Sequence, residues 1–425
     1  MIKENLLHHI WQFKKFDLFN SYTTSGKKIE IIRSGYYNTD SGPDFSFAKI
    51  KIDDIEWIGD VEIHVKSSDW IKHKHTLNPS YDSIILHVVY EMDVQIPSLQ
   101  EKNIPTLELK SYISKSFLEN YNHLENKSFT FIPCENLFDR YLHNPSISLS
   151  EKLYLGKLQE KCDHIFHILN LKNNDWEATL ATTLAYAFGL KINAEAFEQI
   201  FLSLNYKIIR KISSRPTQLE ALFLGLTNSF NKGDDDEYSE LLKNEFNYLK
   251  RKFRFPKQTV EIKYLRLRPA HFPTIRLSQL ANLFSKYQNL FSYVIGAKSL
   301  KQYDMILNEV KAFSYWDTHY ILGKKSSKIP AKRTLSKAQK ELIILNAFLP
   351  VKFAYSQSIG KPMGNEILTI IGEISAENNS IIKNFKKLGV NFKTALDSQA
   401  FLYLYKTKCS NKQCLNCEIG FEILK

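Results

Sequence analysis

Short segments in which apolar and polar residues alternate dominate the first part of the chain. The predicted elements are a helix within 4–20, strands at 28–32, 48–52, 56–66 and 83–90, and a connector with a helix within 96–125. The strands are rich in β-branched residues and are separated by short turns, which is typical of a unit built on a sheet. We therefore predict an α/β sheet domain over residues 1–125.

Apolar residues recur at the helical period through the rest of the chain. The predicted helices are 149–171, 176–188, 194–204, 218–230, 238–252, 278–284, 298–312, 336–348, 365–373, 379–388 and 393–405. Gly189 is predicted to end the second of them, since glycine favours helix ends. The two patterns together predict an α+β fold. Its second part is a mainly α-helical domain over residues 126–425, which includes the C-terminal cysteines.

Ionisable side chains share one face of the strand predicted at 56–66. Period-two geometry points four of them the same way: Asp60, Glu62, His64 and Lys66. A solvated outer face of a strand would explain this pattern equally well. A further carboxylate, Asp44, follows Pro43 and precedes Glu62 by eighteen residues. Because Mg²⁺ prefers carboxylate oxygens, a metal site formed by these two acids is the competing interpretation.

This arrangement resembles the PD-(D/E)xK, or restriction-endonuclease-like, phosphodiesterases over roughly the first ninety-five residues. Asp44 matches the first acid of that family and Glu62 the second, whereas the lysine position is occupied by His64, with Lys66 two residues farther on. The resemblance implies Mg²⁺- or Mn²⁺-dependent cleavage of nucleic acid, with Asp44 and Glu62 as metal ligands and His64 or Lys66 in place of the lysine. The missing lysine also keeps open a catalytically inactive protein that binds nucleic acid.

A second resemblance extends over nearly the whole chain. It rests on Gly42–Phe45, Gly59–His64, Ser68–Trp70, Leu267–Arg276 and Cys414–Gly420. In these segments the sequence is similar to a family catalogued as domain of unknown function 2851. That family is uncharacterised, so the resemblance implies an architecture and no activity.

Cysteines are concentrated near the C-terminus, at Cys409, Cys414 and Cys417. Closely spaced thiols in a reducing compartment are more often metal ligands than disulfides. Cys134 is the predicted fourth ligand because it follows a proline in a loop, whereas Cys162 lies in a predicted helix. The motif resembles the cysteine staples of RecB-like nucleases, which hold an iron–sulfur cluster. Zinc, or thiols without any metal, are the alternatives.

Histidines are also concentrated in the predicted sheet domain. His73 and His75 lie on a loop, and His87 lies in the next predicted strand. A zinc site formed by these residues is an alternative chemistry for the domain. The simpler interpretation is that His87 is a hydrogen-bonded residue of its strand.

The charge balance favours a polyanionic partner. The chain carries 57 Lys and Arg against 45 Asp and Glu, a formal net charge of +12 at pH 7, and such an excess favours nucleic acid. Arg266, Arg268 and Arg276 lie in a proline-stiffened segment, and arginine suits bidentate contact with phosphate. Salt bridging between domains would explain the same arginines. We predict nucleic acid as the partner, without a preference between DNA and RNA.

Length and composition are those of a folded protein. The chain has 425 residues, of which 44% are hydrophobic and 13% aromatic, which excludes a disordered chain. Its apolar runs are strand-sized, so no membrane span is predicted, and its first residues lack the apolar segment of a signal peptide. These features predict a cytoplasmic protein. A metal-stabilised scaffold unrelated to nucleic acid is the third interpretation, and the oligomeric state is left open.

Overall fold

The structure, a computed structural model, describes residues 2–125, 129–143, 148–230, 236–255, 260–326 and 329–424. The chain forms two compact units. The first consists of Met1–Pro145 and Tyr405–Lys425, and the second of Ser146–Leu404. The first unit contains a mixed sheet and the second is mainly helical. The α+β fold class predicted from the sequence is therefore confirmed.

The sheet unit begins with a helix and continues through six strands. Its elements are α1 (Glu4–Gln12), β1 (Ile29–Arg33), β2 (Tyr36–Tyr37), β3 (Phe45–Ile52), β4 (Ile55–Lys66), α2 (Asp69–Lys72), β5 (Ile84–Glu91), α3 (Pro97–Glu101), β6 (Thr106–Glu108), α4 (Lys115–Glu125) and α5 (Phe138–His143). The strands predicted from alternation correspond to β1, β3, β4 and β5. Each of them buries apolar side chains, such as Ile31, Ile50 and Val88, and this burial favours their assembly into a sheet.

The sheet changes from antiparallel to parallel pairing at β4. Its strand order is β1-β3-β4-β5-β6, with β2 paired to β3. The pairs β1–β3 and β3–β4 are antiparallel, whereas β4–β5 and β5–β6 are parallel. Consecutive residues of the central strand β4 are buried, namely Val61, Glu62, Ile63 and His64. Because two of these are ionisable, β4 differs from an ordinary core strand.

The second unit is built from helices with one small hairpin. Its elements are α6 (Leu149–Leu171), α7 (Trp176–Ser203), α8 (Tyr206–Ile212), α9 (Pro216–Gly225), α10 (Glu237–Phe253), α11 (Pro273–Lys286), α12 (Leu290–Gly296), α13 (Leu300–Asn308), β7 (His319–Ile321), β8 (Lys324–Lys325), α14 (Lys337–Ile343), α15 (Leu349–Ser358), α16 (Gly364–Gly372), α17 (Ser380–Lys387) and α18 (Ala395–Leu404). The last helix of the chain, α19 (Glu418–Ile423), belongs to the sheet unit.

Helix α11 lies at the centre of the helical unit. Its residues from Pro273 to Phe284 are all buried, and it packs against α9 and α7. The apolar side chains of these helices belong to one continuous core. In the described ranges, no helix combines the length and the apolarity needed to cross a membrane.

Helix α7 is interrupted where the sequence predicts a helix end. Leu190 has φ 55° and ψ −155°, outside the helical region, and it directly follows Gly189. A Cβ on Gly189 would lie 2.7 Å from the backbone of Ala194, so this close approach of the two half-helices requires glycine. The predicted break is a kink within α7 and not a loop.

The boundary between the units differs from the predicted one. The sequence analysis places it after residue 125, whereas in the structure it lies at residue 145, and residues 405–425 return to the sheet unit. The predicted boundary itself adjoins residues 126–128, which lie outside the described residues. The cysteine segment therefore belongs with the sheet and not with the helices.

Long-range contacts hold the C-terminal segment in the sheet unit. Helix α19 packs against α5, and the ring of Phe421 contacts the ring of His9 in an edge-on arrangement, with centroids 6.1 Å apart. The side-chain amide of Asn120 donates to the carbonyl of Ile423 at 3.3 Å. Such contacts join residues about three hundred positions apart, so no local pattern in the sequence predicts them.

Candidate metal centres

Asp44 and Glu62 are held side by side on adjacent strands. Asp44 directly precedes β3, and Glu62 lies in β4. The backbone N–H of Asp44 donates to Glu62 Oε2 at 3.1 Å, and the N–H of Ile63 donates to Asp44 Oδ2 at 2.9 Å. Each carboxylate is thereby tied to the backbone of the neighbouring strand. The structure brings together the two acids that the sequence analysis selected.

A β-bulge lies directly after Asp44. The register of β3 against β4 shifts between Phe45 and Ala48, and Phe47 has a φ of 55°. The N–H of Phe47 donates to Asp60 Oδ1 at 3.1 Å. Bulges re-aim the side chains around them, and Asp60 stabilises this one. Asp60 therefore has a structural contact of its own, although it shares a strand with Glu62.

Glu62 is a buried acid surrounded by imidazoles. Its exposed fraction is only 5%. Burial, and then the nearby charge of Asp44, raise the pKa of Glu62 to about 9, because both disfavour the ionised form. Glu62 Oε1 lies 3.2 Å from His75 Nε2 and 3.6 Å from His64 Nε2. A cation at this position would stabilise the carboxylate in its charged form.

His64 occupies the centre of a histidine cluster. Its Nδ1 is 3.0 Å from His87 Nε2, and its Nε2 is 3.2 Å from His73 Nδ1. One nitrogen from each of His64, His73 and His75 lies within 4.8 Å of the others. Burial, and then neighbouring histidines, lower the pKa of His64 to about 2 and that of His87 to about 3. These two buried imidazoles thus favour the neutral form, which is the form that binds metals.

Helix α1 contributes residues that the sequence analysis did not select. His8 Nε2 lies 3.3 Å from Asp44 Oδ2, and Glu4, one helical turn earlier, has a raised pKa, first through burial and then through Asp44. Residues four apart lie on one helical face. The spacing of Glu4 and His8 is therefore a usable signal once α1 is known to pack against β4.

Lys66 lies outside this cluster. Its side chain is half exposed, and its Nζ is 3.9 Å from Asp93 Oδ2. Its backbone N–H donates to Asp69 Oδ2 at 3.0 Å. His64, in contrast, is fully buried beside Glu62. Of the two residues considered for the lysine position, the structure places His64 at the acids and Lys66 at the solvent-exposed end of β4.

Four cysteines from the two chain segments of the sheet unit lie close together. Cys134, Cys409, Cys414 and Cys417 line a single small cavity of about 10 Å³, roughly the space that one water molecule occupies. All are free thiols. Burial raises the pKa of each thiol, to about 12 for Cys414, because the charged thiolate is disfavoured there. The predicted ligand set is thus brought together around one point.

The loop around Cys417 has the backbone geometry of a thiolate-binding turn. Backbone N–H groups of Ile419 and Gly420 donate to the sulfur of Cys417 and oppose the rise in its pKa. A Cβ on Gly420 would lie 2.0 Å from the carbonyl oxygen of Cys414. Only glycine permits this approach, so Gly420 is required for the turn that brings Cys414 and Cys417 together.

The three arginines selected from the sequence differ in exposure. Arg266 and Arg268 are exposed. Arg276 is only 2% exposed, and its Nη1 donates to Gln279 Oε1 at 3.0 Å. Burial lowers the pKa of Arg276 to about 10. Its guanidinium therefore lies inside the helical unit, where a surface-bound nucleic acid does not reach it.

Comparison with known proteins gives one match. A family model described as protein of unknown function (DUF2851) matches residues 4–380. No curated protein and no solved structure matches the chain. The match covers most of the sequence, as the second resemblance implied, and it carries no information about activity.

Proposed function

Because this chain belongs to the DUF2851 family, whose function is unknown, we propose a function from the site itself: a metal-dependent nuclease-like protein that hydrolyses phosphodiesters. The observation that carries the proposal is the mutual tethering of Asp44 and Glu62 by backbone hydrogen bonds. Two acids fixed in this way on neighbouring strands would bind one divalent cation, Mg²⁺ or Mn²⁺. Such a cation supplies charge stabilisation at the phosphate and an activated water.

The order of elements supports the same proposal. Helix α1, the long antiparallel strands β1, β3 and β4 with the short β2 after β1, then α2 and the parallel strand β5 follow one another, with Asp44 before β3 and Glu62 within β4. This is the order expected from the PD-(D/E)xK resemblance. His8 Nε2 lies 3.3 Å from Asp44 Oδ2 on the helix side and would orient that carboxylate. The buried imidazole of His64 lies beside Glu62 and would orient that carboxylate at the position of the missing lysine.

The direct test is a cleavage assay of the full chain. Single-stranded and double-stranded DNA and RNA are incubated with purified protein and Mg²⁺ or Mn²⁺, with a chelator in the control. We expect cleavage of at least one substrate that the chelator abolishes. Absence of cleavage under every condition, together with retained binding of nucleic acid, would favour the inactive binding protein. One observation supports the inactive binding protein: the side chain of Lys66 lies at the exposed end of β4 and not beside the two acids.

His64 and Lys66 are expected to respond differently to substitution. His64→Gln should lower cleavage by up to about a hundredfold, the scale of losing an orienting partner of a metal ligand, whereas Lys66→Ala should leave it within about twofold. The reason is their placement, since only His64 lies beside Glu62. Cleavage rates are measured at saturating metal, and thermal melting shows whether both variants fold. Equal losses in the two variants would contradict the assignment.

Nucleic acid is proposed as the partner, bound through exposed basic residues. The net charge of +12 predicts binding that weakens log-linearly with salt, because phosphate contacts release counterions. Replacing both Arg266 and Arg268 by Ala should lower the affinity and reduce the salt slope by about 2. Arg276→Met is the matched control and should leave the slope unchanged, because that guanidinium is buried. Binding that is insensitive to salt would remove nucleic acid as the partner.

A metal at the cysteines is the second cofactor that we propose. One zinc ion holds its four sulfurs about 3.8 Å apart, whereas a cluster spreads its thiolates over several irons. In the described part of the chain, the four sulfurs are not among the groups whose ligand atoms all approach within 4.8 Å. Either an iron–sulfur cluster or a zinc ion would use these four thiols, and metal content and colour distinguish the two.

A further inference from the structure

The imidazole cluster beside Glu62 has the dimensions of a second kind of metal site. Adjacent ligand atoms of a tetrahedral ion with nitrogen ligands are separated by about 3.3 Å, given metal–nitrogen bonds near 2.0 Å. His64 Nε2 lies 3.2 Å from His73 Nδ1 and 3.6 Å from Glu62 Oε1. Glu62 Oε1 lies 3.2 Å from His75 Nε2. These separations are those of neighbouring ligand atoms around one ion, and one nitrogen from each of the three histidines lies within 4.8 Å of the others, with Glu62 adjacent to that group.

Hydrogen bonding alone does not account for these side chains. His75 Nε2 is buried and has no hydrogen-bond partner, although it points to Glu62 Oε1. A buried nitrogen without a partner is costly. A metal bound to this lone pair would remove the cost. The missing hydrogen-bond partner of His75 Nε2 is a second observation, besides the distances, that supports a bound ion at this point.

His87 stands behind His64 as a supporting residue. Its Nε2 lies 3.0 Å from His64 Nδ1. This hydrogen bond occupies Nδ1 of His64, so the other ring nitrogen, Nε2, faces His73 and Glu62. Metal-binding histidines regularly use their second nitrogen for such an orienting contact. The sequence analysis considered His87 as a ligand together with His73 and His75, and in the structure His64 takes that place.

The backbone around His75 is shaped for this arrangement. Lys74, between His73 and His75, adopts a left-handed conformation with φ 60° and ψ 33°, which a non-glycine residue adopts only when its surroundings require it. The ring of Tyr81 lies 3.9 Å from the ring of His75 and restrains it. The two loop histidines are thus turned towards the same point.

We propose that His64, His73 and His75 bind a single divalent transition-metal ion of the zinc class, with Glu62 as the adjacent acid and His87 as a positioning residue. Imidazole nitrogens suit zinc, iron, copper and nickel, whereas Mg²⁺ favours oxygen ligands. The site shares Glu62 with the proposed phosphodiesterase but does not require that activity, because the ion is held by this chain without any substrate.

The test measures the ion directly in the full-length protein. Metal-free protein is titrated with Zn²⁺ alone, and X-ray absorption at the zinc edge distinguishes nitrogen or oxygen neighbours at about 2.0–2.1 Å from sulfur neighbours at about 2.3 Å. We expect one ion per chain with a nitrogen and oxygen shell, in addition to any ion at the cysteines. A shell made only of sulfur would overturn the proposal.

His73→Ala is the informative variant because His73 is exposed and its loss should not unfold the protein. We expect at least tenfold weaker binding of the nitrogen-bound ion. His123→Ala removes another exposed histidine of the same unit and should change nothing. His87→Asn should weaken binding by about ten- to a hundredfold, as loss of an orienting contact does. Equal affinity in His73→Ala and His123→Ala would overturn the site.

Asp44→Ala separates this proposal from the phosphodiesterase. Asp44 is not among the histidine ligands, so the variant should retain the nitrogen-bound ion while losing cleavage. A wild-type protein that binds the ion and cleaves nothing contradicts only the phosphodiesterase. A protein that cleaves but shows no nitrogen-bound ion contradicts only the metal site.

Discussion

Asp44→Ala and Glu62→Ala are each expected to lower metal-dependent cleavage by about a thousandfold or more. Each removes one of the two tethered acids, and metal-ion charge stabilisation contributes several kcal/mol, with each 1.4 kcal/mol about tenfold in rate. Asp44→Asn and Glu62→Gln should show the same loss, because an amide keeps the size of the side chain and lacks its charge. Single-turnover cleavage with Mg²⁺ and Mn²⁺ measures the effect.

For the Asp44 and Glu62 variants, a loss of folding must be distinguished from a loss of cleavage chemistry. Glu62 is 5% exposed, so its alanine variant leaves a cavity beside the imidazoles of His64 and His75, and Glu62→Gln is the better test. Glu56→Ala serves as the matched control, since Glu56 lies on the same strand and forms an exposed ion pair with Lys49 at 2.8 Å. Surface pairs contribute little to stability, so this variant should cleave like wild type. Cleavage that survives both acid substitutions would show that the activity belongs to another site or to a contaminant.

Cys414→Ser is expected to release the cysteine-bound metal and to destabilise the sheet unit. Cys134 and the C-terminal cysteines are joined only through tertiary structure, so a metal shared between them closes a long loop of chain. Loss of a native cross-link costs about 2–5 kcal/mol, which corresponds to a fall in Tm of roughly 4–20 °C for a unit of this size. Protein purified without oxygen is examined by iron and zinc analysis, by its visible spectrum and by calorimetry.

The colour of the protein identifies the metal. Broad visible absorption together with bound iron would indicate an iron–sulfur cluster, whereas a colourless protein with zinc would indicate a single-ion site. Cys162→Ser is the matched control, because Cys162 is buried in α6 of the helical unit and does not line the cavity. Gly420→Ala should also lose the metal without removing a ligand, since its Cβ would collide with the carbonyl oxygen of Cys414. Anaerobic protein that carries neither iron nor zinc would end the proposal.

The two proposed metal centres are expected to lose their metals independently of each other. Cys414→Ser should leave the tethering of Asp44 and Glu62 intact, because those hydrogen bonds lie within β3 and β4 and their immediate neighbours. Zinc-edge spectra of the variant should therefore keep the nitrogen and oxygen shell while the sulfur shell disappears. This comparison uses one protein preparation for both centres.

The sequence by itself determined the features that depend on local periodicity. Alternation over residues 56–66 located β4, helical spacing located α6 and α11, and Gly189 marked the kink in α7. These succeed because a strand or a helix repeats its environment every two or 3.6 residues. The pair Asp44 and Glu62 was also predicted, since a turn between two adjacent antiparallel strands leaves few ways to place them.

Only the tertiary structure decided which residues share an environment across the chain. His64 and Lys66 have the same strand parity, yet the first is buried among imidazoles and the second reaches solvent, because only part of β4 is covered. Arg276 follows the same motif as Arg266 but lies inside the helical unit. The return of residues 405–425 to the sheet unit likewise rests on packing between residues hundreds of positions apart. Burial is a property of the assembled surfaces, and a one-dimensional pattern records which side chains alternate but not what covers them.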